Sequence, residues 1–189
     1  MLLMYEKIDI HFGINGIHTP LLDTFFTYVT YLGDGITTSI AVIIVGVLAF
    51  KRHRYATFVL GWVTLILVGV LSQLLKRAVF PDASRPAKFI GEQLLYLVPD
   101  VEIHSANSFP SGHTTTAFAF FAFVSIIFFK TNKLMQFVMA MVAILIGYSR
   151  MYLSQHFLED VVTGAVLGLF CYTLAHWFVS MFPFGKSLN

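Results

Sequence analysis

Residues 55–75 read YATFVLGWVTLILVGVLSQLL, without a single charged side chain. Crossing a hydrocarbon core of about 30 Å takes about 20 mostly apolar residues as a helix, because in lipid every backbone polar group must be satisfied within the segment. The pattern recurs on both sides of this stretch. Residues 161–182 (VVTGAVLGLFCYTLAHWFVSMF) break it only at His176. Residues 114–129 (TTTAFAFFAFVSIIFF) reach spanning length if their helix starts near Ser111, and residues 134–148 (LMQFVMAMVAILIGY) do so by extending through Lys133 and Ser149. Residues 36–50 are shorter, with Gly33 or Asp34 as a start. The expected fold is therefore all-α, a polytopic membrane helical bundle of five transmembrane helices, or six if residues 20–32 (PLLDTFFTYVTYL) also cross. At about 1.5 Å per residue that last piece is too short to cross alone. Its Leu21, Leu22, Phe25, Phe26 and Tyr28 or Val29 recur at helical spacing beside Asp23, which reads as an amphipathic helix lying at the interface. The division expected is one domain over residues 1–189, with an N-terminal interfacial segment at 1–34 and a transmembrane core at 35–183.

Composition agrees. Hydrophobic residues make up 57% of the chain and charged residues 12%, against about 25% charged in a soluble domain, and the mean hydropathy is +0.78. A net charge of +2 gives no case for a nucleic-acid partner. The single cysteine, Cys171, sits in an apolar run, has no disulfide or metal partner in sequence and reads as a packing residue. Glu6, Asp9 and His11 stand where a signal peptide needs its apolar core, so no cleaved signal is expected. Gly164 and Gly168 form a GxxxG step suited to close packing within the monomer. Lys51, Arg52, Arg54, Lys130, Lys133 and Lys186 fall on one side of the membrane, and Lys7, Lys76, Arg77, Arg85, Lys88 and Arg150 on the other. Setting aside Lys76, Arg85 and Arg150 as functional leaves the first side richer in cations, which makes it cytoplasmic.

One connection is long. Residues 80–110 hold Pro81, Pro86, Pro99 and Pro110, and residues 88–98 (KFIGEQLLYLV) suggest a short interfacial helix. Loops of this length in a compact domain are usually functional. An up-and-down path through the bilayer brings its two ends to the same rim as Ser149, Arg150, His156 and Asp160.

Those residues form a chemical set. Lys76, Arg85 and Arg150 offer positive charge and forked donors for a phosphate dianion. Ser111 and Gly112 precede a helix, whose free N–H groups and dipole favour an anion, and Gly112 has no side chain to keep a phosphoryl oxygen away. His156 and Asp160 share a helical face, so the carboxylate can hold one ring nitrogen protonated and leave the other free to attack. His113 is a second imidazole, placed to protonate a leaving oxygen. Each piece alone has a plainer reading: PSGH as a helix cap, Arg150 as a headgroup anchor, the His–Asp spacing as chance. Together they point to phosphate chemistry. His104 and Asn107 belong at most to the entrance. Asp82, Glu92, Asp100 and Glu102 read as a solvated loop surface, and His11, His18, His53 and His176 as isolated.

With these residues in view, the chain resembles the type 2 phosphatidic acid phosphatase family, which shares its site with vanadium haloperoxidases. The resemblance covers about residues 55–182. Pro110-Ser111-Gly112-His113 matches the family's PSGH motif in full, and Ser149-Arg150 through His156 to Asp160 matches SRxxxxxHxxxD. The first motif, KxxxxxxRP, departs: Arg85-Pro86 is present, but Ala78 stands seven before Arg85, leaving the lysine role between Lys76 and Arg77, with Lys76 preferred and the extra length placed at Phe80-Pro81-Asp82. The resemblance implies His156 as nucleophile, Asp160 orienting it, and His113 as acid and then base. It implies Lys76, Arg85, Ser111, Gly112 and Arg150 on the phosphate, with Pro110 and Ser149 as motif members of less defined role. It implies no metal and no cofactor, a membrane lipid phosphate as substrate, and a bacterial inner-membrane location with the site on the outer face. Undecaprenyl diphosphate, phosphatidic acid or phosphatidylglycerol phosphate rank first as substrates and lipid A phosphate second. The rivals are a haloperoxidase, disfavoured by length and membrane character, and a lipid-binding or transport protein without catalysis. Oligomeric state is not legible.

Overall fold

The computed structural model describes residues 2–49 and 54–188. Among them the ordered elements are helices: α1 (Leu2–Asn15), α2 (Pro20–Thr30), α3 (Gly35–Leu48), α4 (Arg54–Leu74), α5 (Pro86–Ile90), α6 (Gly112–Phe129), α7 (Lys133–Tyr152) and α8 (Leu158–Ser180). The basic loop at 51–53, which the orientation argument counts and which contains His53, lies outside the described residues.

Four helices are long and apolar enough to cross a membrane: Tyr55–Val79, α6, α7 and α8. The fifth crossing is a bent pair. α2 runs into a 3-10 turn at Tyr31–Gly33 and then meets α3 at 61°. α3 alone has 14 residues, about 21 Å of helix, and falls short of the hydrocarbon core. Residues 20–32, expected as a separate interfacial helix, are thus one arm of a broken span. The break is built in locally. Asp34 takes an extended conformation, and its Oδ1 accepts from the N–H groups of Ile36 and Thr37. This N-cap starts a new helix instead of continuing the old one. Thr19 and Pro20 start α2 by the same cap chemistry.

α6 is the hub and packs on α8, α7 and α4. The GxxxG step works inside the chain, as its spacing predicts. A Cβ on Gly168 would stand 2.3 Å from the Thr115 carbonyl oxygen, and one on Gly164 would stand 2.7 Å from that of Ser111. Only glycine lets α8 press on the first turns of α6. Ile40, Ile44, Ile66, Val70, Val166 and Phe170 point outward and are exposed, as side chains facing acyl chains must be.

The connection expected as one helix over 88–98 breaks at Gly91, whose φ is 109°, into α5 and a 3-10 turn at Glu92–Leu94. Two polar clusters tie it and the N-terminal helices to the end of α7. Asp23 accepts from the hydroxyls of Tyr96 (2.6 Å) and Tyr152 (2.5 Å), which raises Tyr96 above the usual phenol range. Asn15 donates to the carbonyl of Tyr96 and to Ser154 Oγ. His11, isolated in sequence, is buried against Ser154 Oγ and the edge of Phe157. Burial lowers its pKa to about 4.

That shift bears on stability. The folded value lies below the unfolded value near 6.5, so as pH falls the unfolded chain takes up the proton first. The contribution of His11 is complete above pH 6.5 and is lost between pH 6.5 and about 4. The thermal midpoint of the detergent-solubilised protein should fall across that window, and His11→Gln should flatten the fall. A variant with an unaltered pH slope would show that His11 carries none of it.

Candidate active site

A cavity of about 540 Å³ opens at one rim of the bundle, bordered by Lys76, Arg85, Gly112, His113, Arg150 and His156. These come from the end of the α4 span, the loop before α5, the start of α6, the end of α7 and the turn before α8. His104 and Asn107 border it as well, at the positions expected for its entrance.

The first motif resolves in an unforeseen place. The span that begins with α4 ends in a π-helical turn at Leu75–Val79, closed by Phe80 N–H on the Leu75 carbonyl. A π-turn takes up an additional residue and turns the following side chains around the axis. The additional length therefore starts inside the span, upstream of the Phe80-Pro81-Asp82 position expected for it. Lys76 is buried and its Nζ donates to the Asn107 carbonyl at 2.8 Å, while Arg77 reaches the cavity from an exposed position.

Arg85 is fixed at two of its nitrogens. Nε donates to the Ala106 carbonyl (3.0 Å), and Nη1 to both the carbonyl (3.2 Å) and Oε1 (3.0 Å) of Gln155. Burial pulls its pKa below the usual guanidinium range, opposed by the Asp160 carboxylate. Gln155 is itself buried and donates to the Glu102 carbonyl. Arg150 is 6% exposed; its Nη1 donates to Thr30 Oγ1 at 2.7 Å and its Nε has no partner.

His156 is 1% exposed, with Nδ1 3.3 Å from Asp160 Oδ2 and 3.3 Å from Ser108 Oγ. Asp160 Oδ2 also accepts from the Phe157 N–H (3.0 Å) and the Ser108 hydroxyl (2.5 Å). With its proton given to Asp160, Ser108 can only accept from the imidazole. The network therefore assigns the ring proton to Nδ1 and leaves the Nε2 lone pair free. Burial, with the charges of Arg85, Arg150 and Lys76, holds the His156 pKa well below its ordinary value, so the ring is neutral near pH 7.

Ser111 differs from its expectation at the phosphate. Its Oγ accepts from the N–H and hydroxyl of Thr114 and its N–H donates to the Asp160 carbonyl, so it caps α6 and does not border the cavity. Ser149 Oγ bonds back to the Ile146 carbonyl, and Pro110 is buried behind the cap. Ser108 and Gln155 escaped the sequence reading. Ser108 lies three residues before Ser111, and Gln155 lies among the unspecified positions of the third motif, with no sequence signal of its own.

Positive charge gathered around a buried neutral imidazole, at the edge of a membrane bundle, suits attack on a phosphate carried by a lipid, and similarity to known proteins agrees: this is a membrane-embedded lipid phosphatase. The chain belongs to the PAP2 superfamily, whose family model matches residues 58–183. It is 29% identical over 177 residues to the lipid A 4'-phosphatase of Porphyromonas gingivalis, covering 92% of this chain and 72% of that one. It is 30% identical over 172 residues to the phosphatidylglycerophosphatase B of Bacillus subtilis, covering 86% and 77%. The crystal structure of Aquifex aeolicus LpxE superposes with a TM-score of 0.75 at 29% identity, over 89% of this chain and 93% of that one. The protein is thus a multi-pass bacterial membrane protein that acts on lipid phosphates.

Ser108→Ala removes one hydrogen bond to a charged carboxylate and a partner of the ring proton. Such a bond is worth roughly 1.5–3 kcal/mol, so kcat should fall about tenfold or more while KM moves little. A fall in KM affinity with kcat preserved would show that Ser108 does not orient the ring.

Proposed function

We propose that the protein hydrolyses a lipid phosphate through a phosphohistidine on His156. Nε2 of His156 attacks phosphorus, the P–O bond to the lipid breaks, and His113 gives its proton to the departing oxygen. Water then attacks the phosphohistidine as His113 accepts its proton, which releases inorganic phosphate and restores His156. Asp160 and Ser108 hold the Nδ1 proton and steady the positive charge that the ring gains on phosphorylation. Lys76, Arg85 and Arg150, with the α6 N–H groups at Gly112, hold the phosphoryl oxygens and do electrostatic work that a metal does in other phosphatases. Ser111 serves by keeping that helix end in place.

The observation that carries this reading is the His156–Asp160–Ser108 arrangement: a buried, neutral ring with one nitrogen held and the other left to a cavity bordered by three cations. The named relatives support a phosphorylated glycolipid or glycerophospholipid as substrate. The basic loops support the outer face of the bacterial cytoplasmic membrane as the side of the site, within a single domain.

The purified protein should release phosphate from dioctanoyl phosphatidic acid in EDTA without added magnesium. His156→Ala should reduce release to background and His113→Ala by about 10²–10⁴-fold, and vanadate should inhibit by mimicking five-coordinate phosphorus. Rapid acid-free quenching with labelled substrate should trap base-stable, acid-labile label on the wild type and none on His156→Ala. Full activity in both histidine variants would refute the mechanism.

A further inference from the structure

A second cavity, of about 470 Å³, adjoins the first. The two share His104, His113 and Arg150, whereas His156, Lys76 and Arg85 border only the first. The second has different chemistry. Asp34, Asp100 and Glu102 supply carboxylates, and Thr27, Thr30 and Tyr31 supply hydroxyls. Arg150 is its one cationic side chain among the described residues. Asp100 and Glu102, read from sequence as plain loop surface, thus face a cavity next to the reacting centre. On the shared wall the Nε of Arg150 is buried without a partner. A buried donor left unpaired in this way calls for a ligand atom.

The placement of the two imidazoles gives the second cavity a direction. In phosphoryl transfer the attacking and leaving atoms lie roughly in line on opposite sides of phosphorus. His156 stands in the first cavity only, while His113, which protonates the leaving oxygen, stands on the wall between them. The leaving alcohol therefore departs toward the second cavity. The bend between α2 and α3 then gives the lipid a way out. Gly33 in that bend lies so close to the His113 backbone that a Cβ would meet its carbonyl oxygen at 2.7 Å. Tyr31 borders the cavity, and the neighbouring Leu32 and Ile36 are exposed toward the acyl chains.

We propose that this second cavity holds the headgroup of the leaving alcohol and selects for a hydroxyl-rich, uncharged or amine-bearing alcohol, such as a glycerol or amino sugar, against one bearing a second phosphate. The inference rests on the phosphohistidine reading above and goes further, because it separates phosphomonoesters from diphosphates. A terminal phosphate attacked by His156 in a prenyl diphosphate would leave its remaining phosphate among Asp34, Asp100 and Glu102, with Arg150 as the one compensating charge. Hydroxyls and ammonium groups find acceptors there.

The test uses the full-length protein in detergent micelles and a pair of substrates with one tail, farnesyl phosphate and farnesyl diphosphate. The wild type should favour the monophosphate at least tenfold in kcat/KM. Asp100→Lys with Glu102→Lys, both on an exposed loop, should narrow that ratio at least fivefold by raising the diphosphate rate. Size-exclusion profile and thermal midpoint report whether the double variant is folded, and the wild-type ratio stands independently of it. Equal or better use of the diphosphate by the wild type, or an equal change in both rates in the variant, would overturn the selectivity while leaving the phosphatase reading intact. Absence of release from either lipid and from phosphatidic acid would overturn both.

Discussion

Lys76, Arg85 and Arg150 are buried at one rim of a membrane bundle, and among the described residues none has a carboxylate within ion-pair distance. Buried charge is costly unless it is paired or hydrogen-bonded. Here main-chain carbonyls of residues 106, 107 and 155, the Gln155 amide and one threonine hydroxyl stand in for counter-ions. Neutral acceptors fix the geometry of the cations without cancelling their charge. The positive field is left for an incoming anion, and it also keeps the neighbouring imidazole of His156 neutral. Binding and nucleophilicity in the proposed mechanism thus have the same origin.

The rest of the architecture maintains that concentration of charge. The loop of residues 105–108 must pass close to the spans to present its carbonyls, and Arg85 N–H and Ser108 N–H tie it to residues 105 and 83. Gly164 and Gly168 let α8 lie directly on the start of α6, which brings the Asp160 carbonyl to the Ser111 N–H. The N-terminal helices brace the same region from the other side. α1 reaches residue 154 through His11 and Asn15, and α2 reaches Tyr152 through Asp23. These segments look dispensable in sequence, since their polar residues match no motif. In the folded chain they clamp the turn that carries His156.

The sequence by itself determined the class of fold. Uncharged stretches of spanning length admit only helices in lipid, because the backbone must satisfy itself within each segment, and the alternation of spans placed PSGH, Arg150 and His156 at one rim. Complete local motifs also made His113, His156, Asp160 and Arg150 legible, since their spacing is itself the helical geometry they use. Tertiary structure alone decided how the fifth crossing is made, by a bend capped at Asp34, and how Lys76 enters the site, through a π-turn that periodicity does not reveal. It likewise decided that Ser111 caps a helix, that Ser108 holds the Asp160 carboxylate and that Gln155 holds Arg85. Those contacts join residues 47 to 70 positions apart or compete for one hydroxyl at a helix end, and such choices depend on which chain segments meet in space.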